Sequence, residues 1–176
     1  MKFHLQKSLK ALAVAGTVLL SLNVGPAKAQ PRPNQFYWVA AKHSNKCIHQ
    51  QGGSYGNGDN ITQWACIDQG NVKLEIVPAS NGYVFLKFKH SEKCVHLYQN
   101  SPYNGANINQ WDCINQPNVL WRIVPVPGSY NYYYIVSAAT GKCLHQQGGS
   151  YGNGDNITQY TCIDQGNVQW SFFPTN

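Results

Sequence analysis

The stretch from Cys47 to Cys66 reads CIHQQGGSYGNGDNITQWAC, and it recurs twice further along the 176-residue chain. The second copy, residues 94–113, reads CVHLYQNSPYNGANINQWDC, and the third, residues 143–162, reads CLHQQGGSYGNGDNITQYTC. The copies begin 47 and 49 residues apart. A repeat of this length indicates that one supersecondary unit has been triplicated. Because three copies nearly fill the chain, we expect a closed threefold structure rather than an open array.

The first 29 residues have the composition of a targeting segment. A basic start is followed by an apolar run over residues 11–24 and by Ala27-Lys28-Ala29, which has the small-x-small form of a cleavage site. A membrane anchor is the alternative, but the run is shorter than the roughly 20 residues that a bilayer requires. We predict a signal peptide over residues 1–29, cleavage near Ala29, and secretion of a mature domain spanning 30–176 to the extracellular space or the periplasm.

Removal of this leader changes the charge of the protein. The whole chain has a net charge of +6, with 13 basic and seven acidic residues. Four of the basic residues and none of the acidic ones lie in the leader, so the mature chain carries about +2. Only Lys87-Phe88-Lys89 hints at a basic cluster of the kind that a phosphate backbone requires. We therefore predict no nucleic-acid partner.

The six cysteines form three pairs that are each 19 positions apart. Export and an even cysteine number favour disulfides, and the threefold repetition favours pairing within each copy. Each bridge then contributes roughly 3 kcal/mol by closing a loop in the unfolded chain. Zinc is the alternative, because a His follows the first Cys of every pair by two positions, but no CxxC or HxxxH spacing occurs. The predicted bridges are Cys47–Cys66, Cys94–Cys113 and Cys143–Cys162, with no metal or other cofactor.

The mature chain shows no apolar pattern at helical spacing, and Gly, Asn and Pro interrupt it every eight to twelve residues. Each copy begins with a β-rich run and contains an Asn-Gly pair suited to a tight turn. About four strands per copy predict an all-β fold of about twelve strands. We predict a β-trefoil, a six-stranded barrel plus three hairpins, with repeats at about 36–82, 83–129 and 130–176. A sandwich leaves the threefold repetition unexplained, and a three-bladed propeller lies below the usual minimum of about four blades.

Each copy contains Cys-apolar-x-x, an Asn-Gly turn, apolar-x-x-aromatic-x-Cys and then Asn-x-x-Trp or its variant. This order resembles the ricin B-type lectins, also called carbohydrate-binding module family 13, over residues 36–173. The family's closing Gln-x-Trp motif is altered here, because Val replaces Gln in all three copies. Trp121 and Trp170 hold the Trp position and Leu74 replaces it in the first copy. We expect the two Trp side chains to lie in the barrel core.

The resemblance implies a shallow sugar site in each repeat. In the family, such a site has a carboxylate two residues after the first Cys, an aromatic ring two residues before the second Cys, and an Asn near the closing motif. By position, the carbohydrate-binding residues would be His49, Trp64 and Asn71, then His96, Trp111 and Asn118, and finally His145, Tyr160 and Asn167. Imidazoles therefore stand where the family has carboxylates, and galactose specificity does not follow from the resemblance.

The chemistry of these residue types suits a sugar. A flat aromatic ring covers the C–H face of a pyranose, while amide and imidazole groups exchange hydrogen bonds with its hydroxyls. Asp59 and Asp155 are candidates to supply the missing charge in the first and third copies, and Ala106 removes it from the second. A structural role stays open for each residue: a turn carbonyl would hold the imidazole, the rings would pack in a hairpin, and the Asn residues would shape a turn.

We therefore predict a secreted, multivalent carbohydrate-binding protein that is not an enzyme and has two similar sites and one divergent site. Single sites of this kind bind at roughly millimolar concentration and gain strength when several sugars are engaged. No catalytic set stands apart from the repeats, and seven acidic residues leave few carboxylates for glycoside hydrolysis. Two alternatives stay open: a cell-binding or targeting subunit of a toxin or of a separately encoded enzyme, and an inhibitor that uses the trefoil as a scaffold.

Overall fold

Twelve β-strands make up the regular structure of residues 30–175, the part of the chain that this computed structural model describes. The predicted signal peptide lies outside the described residues. The strands are β1 (Phe36–Ala41), β2 (Cys47–Gln50), β3 (Ile61–Trp64), β4 (Leu74–Pro78), β5 (Val84–Phe88), β6 (Cys94–Leu97), β7 (Ile108–Trp111), β8 (Trp121–Pro125), β9 (Tyr133–Ser137), β10 (Cys143–Gln146), β11 (Ile157–Tyr160) and β12 (Trp170–Pro174). In the described chain, helical structure is confined to three-residue 3-10 turns. The predicted all-β class and the four strands per repeat are confirmed.

Six of the strands close into a barrel through antiparallel pairing. The ring runs from β1 to β4, β5, β8, β9 and β12, and β12 pairs with β1 again. The other six strands form three hairpins, β2–β3, β6–β7 and β10–β11, one in each repeat. A closed ring leaves no exposed barrel edge for another chain to pair with. This topology confirms the predicted β-trefoil.

Alternation along the strands fills the barrel. On β5, Leu86 and Phe88 are buried, whereas Lys87 between them points outward and forms an ion pair with Glu75 on β4 at 2.8 Å. Trp121 and Trp170 are fully buried, and their indole N–H groups donate to backbone carbonyls at 2.8 and 2.9 Å. The expectation that the closing-motif residues belong to the core is confirmed, and Leu74 occupies the equivalent buried position in the first repeat.

Each hairpin carries the predicted disulfide. The Cα atoms of the bridged cysteines are 5.2, 5.2 and 5.1 Å apart, in chain order, and all six cysteines are paired within their own repeats. The Asn-Gly turns lie in the loops between the hairpin strands, where Gly58 and Gly154 adopt φ values of 99° and 96°. Glycine tolerates this region because it has no Cβ. The loops are thus closed covalently at one end and turned tightly at the other.

Neighbouring repeats are joined by a ring of three asparagines. Asn60 donates to Asn156 at 2.8 Å, Asn156 donates to Asn107 at 2.7 Å, and Asn107 donates back to Asn60 at 3.0 Å. Each side chain therefore donates once and accepts once around the pseudo-threefold axis. The arrangement requires three equivalent residues, one from each copy. It joins the three hairpins to one another.

Each hairpin loop is also held by a buried glutamine of another repeat. Gln110 of the second repeat donates from Nε2 to the Gly56 carbonyl at 2.5 Å, and its Oε1 accepts from Ser91 at 2.7 Å. Gln63 holds Gly152 in the same way at 2.6 Å, and Gln159 holds the loop of the second repeat. These side chains are fully buried.

Within residues 30–175, no helix has the length and apolar character to span a bilayer.

Candidate functional site

In every repeat the fold brings the three predicted site residues together on one hairpin and the turn that follows it. His49 lies on β2 opposite Thr62 of β3, and Trp64 is two residues beyond Thr62 on the same strand. Residues two apart on a strand share a face, so Thr62 and Trp64 both meet the imidazole. Asn71 reaches this face from the 3-10 turn Gly70–Val72. The other two repeats have the same arrangement.

An amide N–H group contacts one ring nitrogen of each histidine. The Nδ2 atom of Asn71 lies 3.1 Å from Nε2 of His49, and the matching distances are 2.9 Å for Asn118 and His96 and 3.0 Å for Asn167 and His145. Asn71 Nδ2 also donates to the Gln50 carbonyl at 3.3 Å, which orients the amide with its N–H groups toward the ring. The imidazole Nε2 is therefore the acceptor.

The other ring nitrogen, Nδ1, contacts the facing strand. It lies 3.0 Å from Thr62 Oγ1 in the first repeat and 2.9 Å from Thr158 Oγ1 in the third. In the second repeat its partner is Asn109 Oδ1 at 2.5 Å, an atom that only accepts. Nδ1 thus carries the proton of a neutral ring. Side chains hold the imidazoles, not the turn carbonyl that sequence analysis left open as the structural alternative.

Burial reinforces the neutral state of these rings. Desolvation lowers the pKa of His49, His96 and His145 from the ordinary value of 6.5. For His96 the hydrogen bond to Asn109 acts in the opposite direction, but desolvation is the larger effect. The three imidazoles are therefore uncharged near neutral pH. The candidate sites differ in charge from the carboxylate sites that the resemblance implies.

An aromatic ring covers each imidazole. The centroids are 5.2 Å apart for His49 and Trp64, 5.4 Å for His96 and Trp111, and 5.0 Å for His145 and Tyr160, with interplanar angles of 31–36°. Trp64 and Tyr160 each keep 37% of their surface exposed, and Trp111 is half-buried. The rings therefore sit at the surface and not in the barrel interior. They offer apolar surface to solvent in a fixed orientation.

Asp59 and Asp155, the candidates to supply the missing charge, take part in the hydrogen bonds of the hairpin loops. Oδ2 of Asp59 accepts from Gln50 at 2.8 Å and from Ser54, and Oδ2 of Asp155 accepts from Gln146 at 3.1 Å and from Ser150. Each carboxylate also accepts from a glutamine of another repeat, Asp59 from Gln110 at 3.3 Å and Asp155 from Gln63 at 3.0 Å. Both carboxylates therefore help to hold the hairpin loops in place. Within residues 30–175, no cluster of three or more His, Cys, Asp or Glu side chains is suited to hold a metal ion.

Two aromatic pairs next to the predicted sites were missed by sequence analysis. Tyr55 stacks on His90, and Tyr151 stacks on His43, with ring centroids 4.5 Å apart in both pairs. A sequence signal exists, since His43 and His90 each precede the first Cys of a repeat by four positions. The partners come from different repeats, so the repeat pattern alone did not indicate that they meet.

A cavity of about 470 Å³ lies away from the three sites, between the start of β1, the loop before β9 and the end of β12. Tyr37, Tyr133 and Phe172 are among its lining residues, and both tyrosine rings meet Phe172 edge to face. None of the predicted site residues lines it. The candidate sites are therefore separate from this cavity.

Known structures share this architecture. The designed threefold-symmetric protein ThreeFoil is similar over 78% of this chain and 96% of its own, with 29% identity and a TM-score of 0.74. The Rhizoctonia solani agglutinin matches 84% of this chain and 99% of its own at 17% identity and a TM-score of 0.73. An exo-β-1,3-galactanase from Clostridium thermocellum matches 80% of this chain at 22% identity and a TM-score of 0.75, but this chain spans only 30% of that one.

No curated protein sequence matches the chain significantly. One family model, described as 'ricin-type β-trefoil lectin domain-like', matches residues 24–111, 71–159 and 117–176. These overlapping matches together cover all three repeats. With the closed barrel, the three hairpins and one disulfide per repeat, they show that the chain belongs to the ricin-type β-trefoil lectin-like family.

Proposed function

We propose that the protein is a secreted lectin that binds glycans weakly at each of its repeats and strongly when several repeats engage one glycan surface. The observation that carries this proposal is the solvent-accessible aromatic ring stacked on a neutral imidazole beside an amide, which recurs in all three copies, half-buried in the second and exposed in the other two. Family membership supports carbohydrate binding in general. Secretion rests on the predicted signal peptide.

The aromatic rings are the main contact surface in this proposal. A pyranose that settles on the exposed surface of Trp64 removes its own C–H groups and the indole from water, at about 25 cal/mol per Å² of apolar area. His49 acts as a positioning residue, because both of its nitrogens already have protein partners and its ring supports the indole. The amide oxygens of Asn118 and Asn167 are buried without a hydrogen-bond partner in the described structure, and a sugar hydroxyl that displaced nearby side chains would satisfy them.

Neutral glycans fit such a site better than charged ones. The imidazoles are uncharged, and the nearby carboxylates of Asp59 and Asp155 are used within their loops. A neutral site gains nothing from a ligand charge and would have to desolvate it. We therefore expect uncharged mono- and oligosaccharides among the ligands, and sialylated or sulfated ones to add no affinity.

Glycan-array binding of residues 30–176 tests the proposal, with the triple variant Trp64→Ala/Trp111→Ala/Tyr160→Ala beside the wild type. We expect the triple variant to lose binding to every glycan that the wild type recognises, because the stacking surface is gone from all repeats. Tyr130→Ala is the matched control, since Tyr130 is an exposed ring of the loop before β9 that lines the separate cavity. Full glycan binding by a folded triple variant would contradict the site assignment.

One observation favours the alternative that the protein is the targeting subunit of a toxin or of an enzyme. The similar galactanase chain is much longer than its trefoil part, so this fold also occurs within larger proteins. A targeting subunit would purify from its source as a stable hetero-complex, whereas a free lectin would purify alone. Hydrolysis of a glycan panel by the isolated chain would instead contradict the non-enzymatic function.

A further inference from the structure

Two tyrosines lie on the tips of hairpin loops with most of their surface in solvent. Tyr55 is 66% exposed and Tyr151 is 67% exposed. Both are nevertheless fixed in place, because one side of each ring stacks on a histidine of another repeat at a centroid distance of 4.5 Å. The side that faces away from the histidine is free. A rigid exposed ring is unusual in a loop, where an aromatic side chain otherwise loses rotamer freedom when a ligand binds.

The histidines beneath these rings are themselves held by two contacts each. Nε2 of His90 donates to the Gly53 carbonyl at 2.8 Å, and its backbone N–H donates to the Gly70 carbonyl at 3.2 Å. His43 makes the same contacts with Gly149 at 2.5 Å and with Gly166 at 3.1 Å. A carbonyl oxygen only accepts, so Nε2 carries a proton in both rings. Each stack is therefore built onto two loops and not onto one flexible tip.

The stacks are continuous with the proposed sugar sites. Gly70 directly precedes Asn71 in the chain, and a Cβ atom added at Gly70 would lie only 3.1 Å from Cβ of His90. Asn71 in turn contacts His49, on which Trp64 stacks. The first repeat thus carries an unbroken surface from Tyr55 through His90 and Asn71 to Trp64. The third repeat has the same series, with Tyr151, His43, Asn167 and Tyr160.

The second repeat lacks this extension and provides an internal comparison. Ala139 occupies the position that His43 and His90 hold in the other two copies. Pro102 occupies the position of Tyr55 and Tyr151. The next residue, Tyr103, is 76% exposed and makes no ring contact with any described residue. Pro117 also replaces the glycine that packs beneath the histidine. The primary site of this repeat ends at Asn118.

We propose that the Tyr55–His90 and Tyr151–His43 stacks are second saccharide subsites, which extend the first and third sites so that each binds an oligosaccharide of at least two units. The proposal rests on the proposed lectin function. A further sugar unit places its C–H face on the free side of the tyrosine ring while the first unit remains at Trp64 or Tyr160. The second repeat binds a single unit. Each added ring contact strengthens oligosaccharide binding by roughly threefold to tenfold.

Calorimetric titration with xylo-, cello-, galacto- and chito-oligosaccharides of one to four units tests this inference. For the wild type we expect the affinity in the preferred series to rise between one and three units. The double variant Tyr55→Ala/Tyr151→Ala keeps its affinity for the monosaccharide within about twofold but loses this rise, since only the second contact has been removed. Tyr103→Ala is the matched control, and it keeps the full dependence on chain length.

A second variant separates the ring contact from a purely structural role of the loop. Tyr55→Phe/Tyr151→Phe keeps the stack and retains the rise with chain length. The inference is overturned if the double Ala variant, with a melting temperature close to that of the wild type, still binds longer saccharides more tightly. It is also overturned if the wild type binds the monosaccharide and all longer forms equally. A wild type that binds neither these saccharides nor any glycan on the array contradicts the lectin function itself, and the subsites with it.

Discussion

The histidine at each site connects three side chains that would otherwise be independent. His49 accepts a hydrogen bond from Asn71, donates one toward Thr62 and lies beneath the ring of Trp64. A carboxylate in the same place would accept from both the amide and the hydroxyl, but it would carry a charge and would offer no ring for Trp64 to lie against. The imidazole therefore organises the site before any ligand arrives. Its neutral form is essential to this role.

Stability should consequently depend on pH through these three rings. Burial lowers the pKa of His49, His96 and His145 in the folded protein from the ordinary value of 6.5. As the pH falls below that value, the unfolded chain takes up protons before the folded protein does, so the free energy of unfolding decreases. The loss continues until the pH passes the folded pKa, and above pH 6.5 the contribution is fully present. Melting temperatures between pH 8 and pH 5 measure this slope.

The variant His49→Gln/His96→Gln/His145→Gln is the control for this pH dependence. It removes the three titrating rings but keeps His43 and His90, so the difference between the two slopes belongs to the site histidines. We expect the melting temperature of the variant to fall less steeply between pH 7 and pH 5. Parallel curves for the two proteins would show that the imidazoles are not held neutral by the fold.

At the scale of the element, each hairpin depends on a loop that another repeat holds in place. Gln110 is fully buried on β7 and satisfies the Gly56 carbonyl of the first repeat while accepting from Ser91 of its own. Without this glutamine the Gly56 carbonyl would lose its side-chain donor, and the loop around Tyr55 would lose its attachment to the second repeat. The β3 and β11 glutamines hold the loops of the third and second repeats in the same way. Packing of the hairpins is therefore mutual.

We expect Gln110→Ala to lower the free energy of unfolding by about 2–4 kcal/mol, because it leaves buried polar groups unpaired and opens a cavity. Urea denaturation followed by tryptophan fluorescence measures the change. Gln69→Ala is the matched control, since Gln69 is exposed, and surface changes of this kind stay within about 0.5 kcal/mol. An equal, small effect of both substitutions would show that the loop does not depend on Gln110.

At the scale of the whole molecule, the fold was predictable because the sequence of one hairpin unit occurs three times in the chain. The spacing of the cysteines and the Asn-Gly turns indicated hairpins, and three copies of one such unit can bury a common core only by closing. The grouping of His49, Trp64 and Asn71 followed from the family resemblance and from strand alternation. The hydrogen bonds among these residues, and the hydrogen bonds that Asp59 accepts, depend on the directions of side chains. A sequence pattern does not give those directions.

The contacts between repeats could not be predicted from the sequence. Tyr55 and His90 belong to different copies, and no local pattern indicates that they meet. They meet only after the barrel has closed and its strands have set the neighbouring turns side by side. The three asparagines on the axis are a similar case. Asn60 and Asn156 each begin an Asn-x-Thr sequence, the pattern of N-glycosylation, but in the folded protein their amides are hydrogen-bonded within the asparagine ring.

The threefold arrangement of the sites predicts a dependence on valency if the protein acts as a lectin. The variant Trp111→Ala/Tyr160→Ala retains one aromatic site, at Trp64, and should bind a free oligosaccharide there with the affinity that this site has in the wild type. On a dense glycan surface the wild type engages several sites at once, and a linked second contact raises the overall affinity by roughly 10²-fold to 10⁴-fold. We therefore expect the single-site variant to lose at least about 10²-fold on the surface while its solution affinity stays within about twofold. Surface plasmon resonance at high and low glycan density measures both, with Tyr130→Ala as the control. Equal losses on the surface and in solution would mean that the sites do not act together.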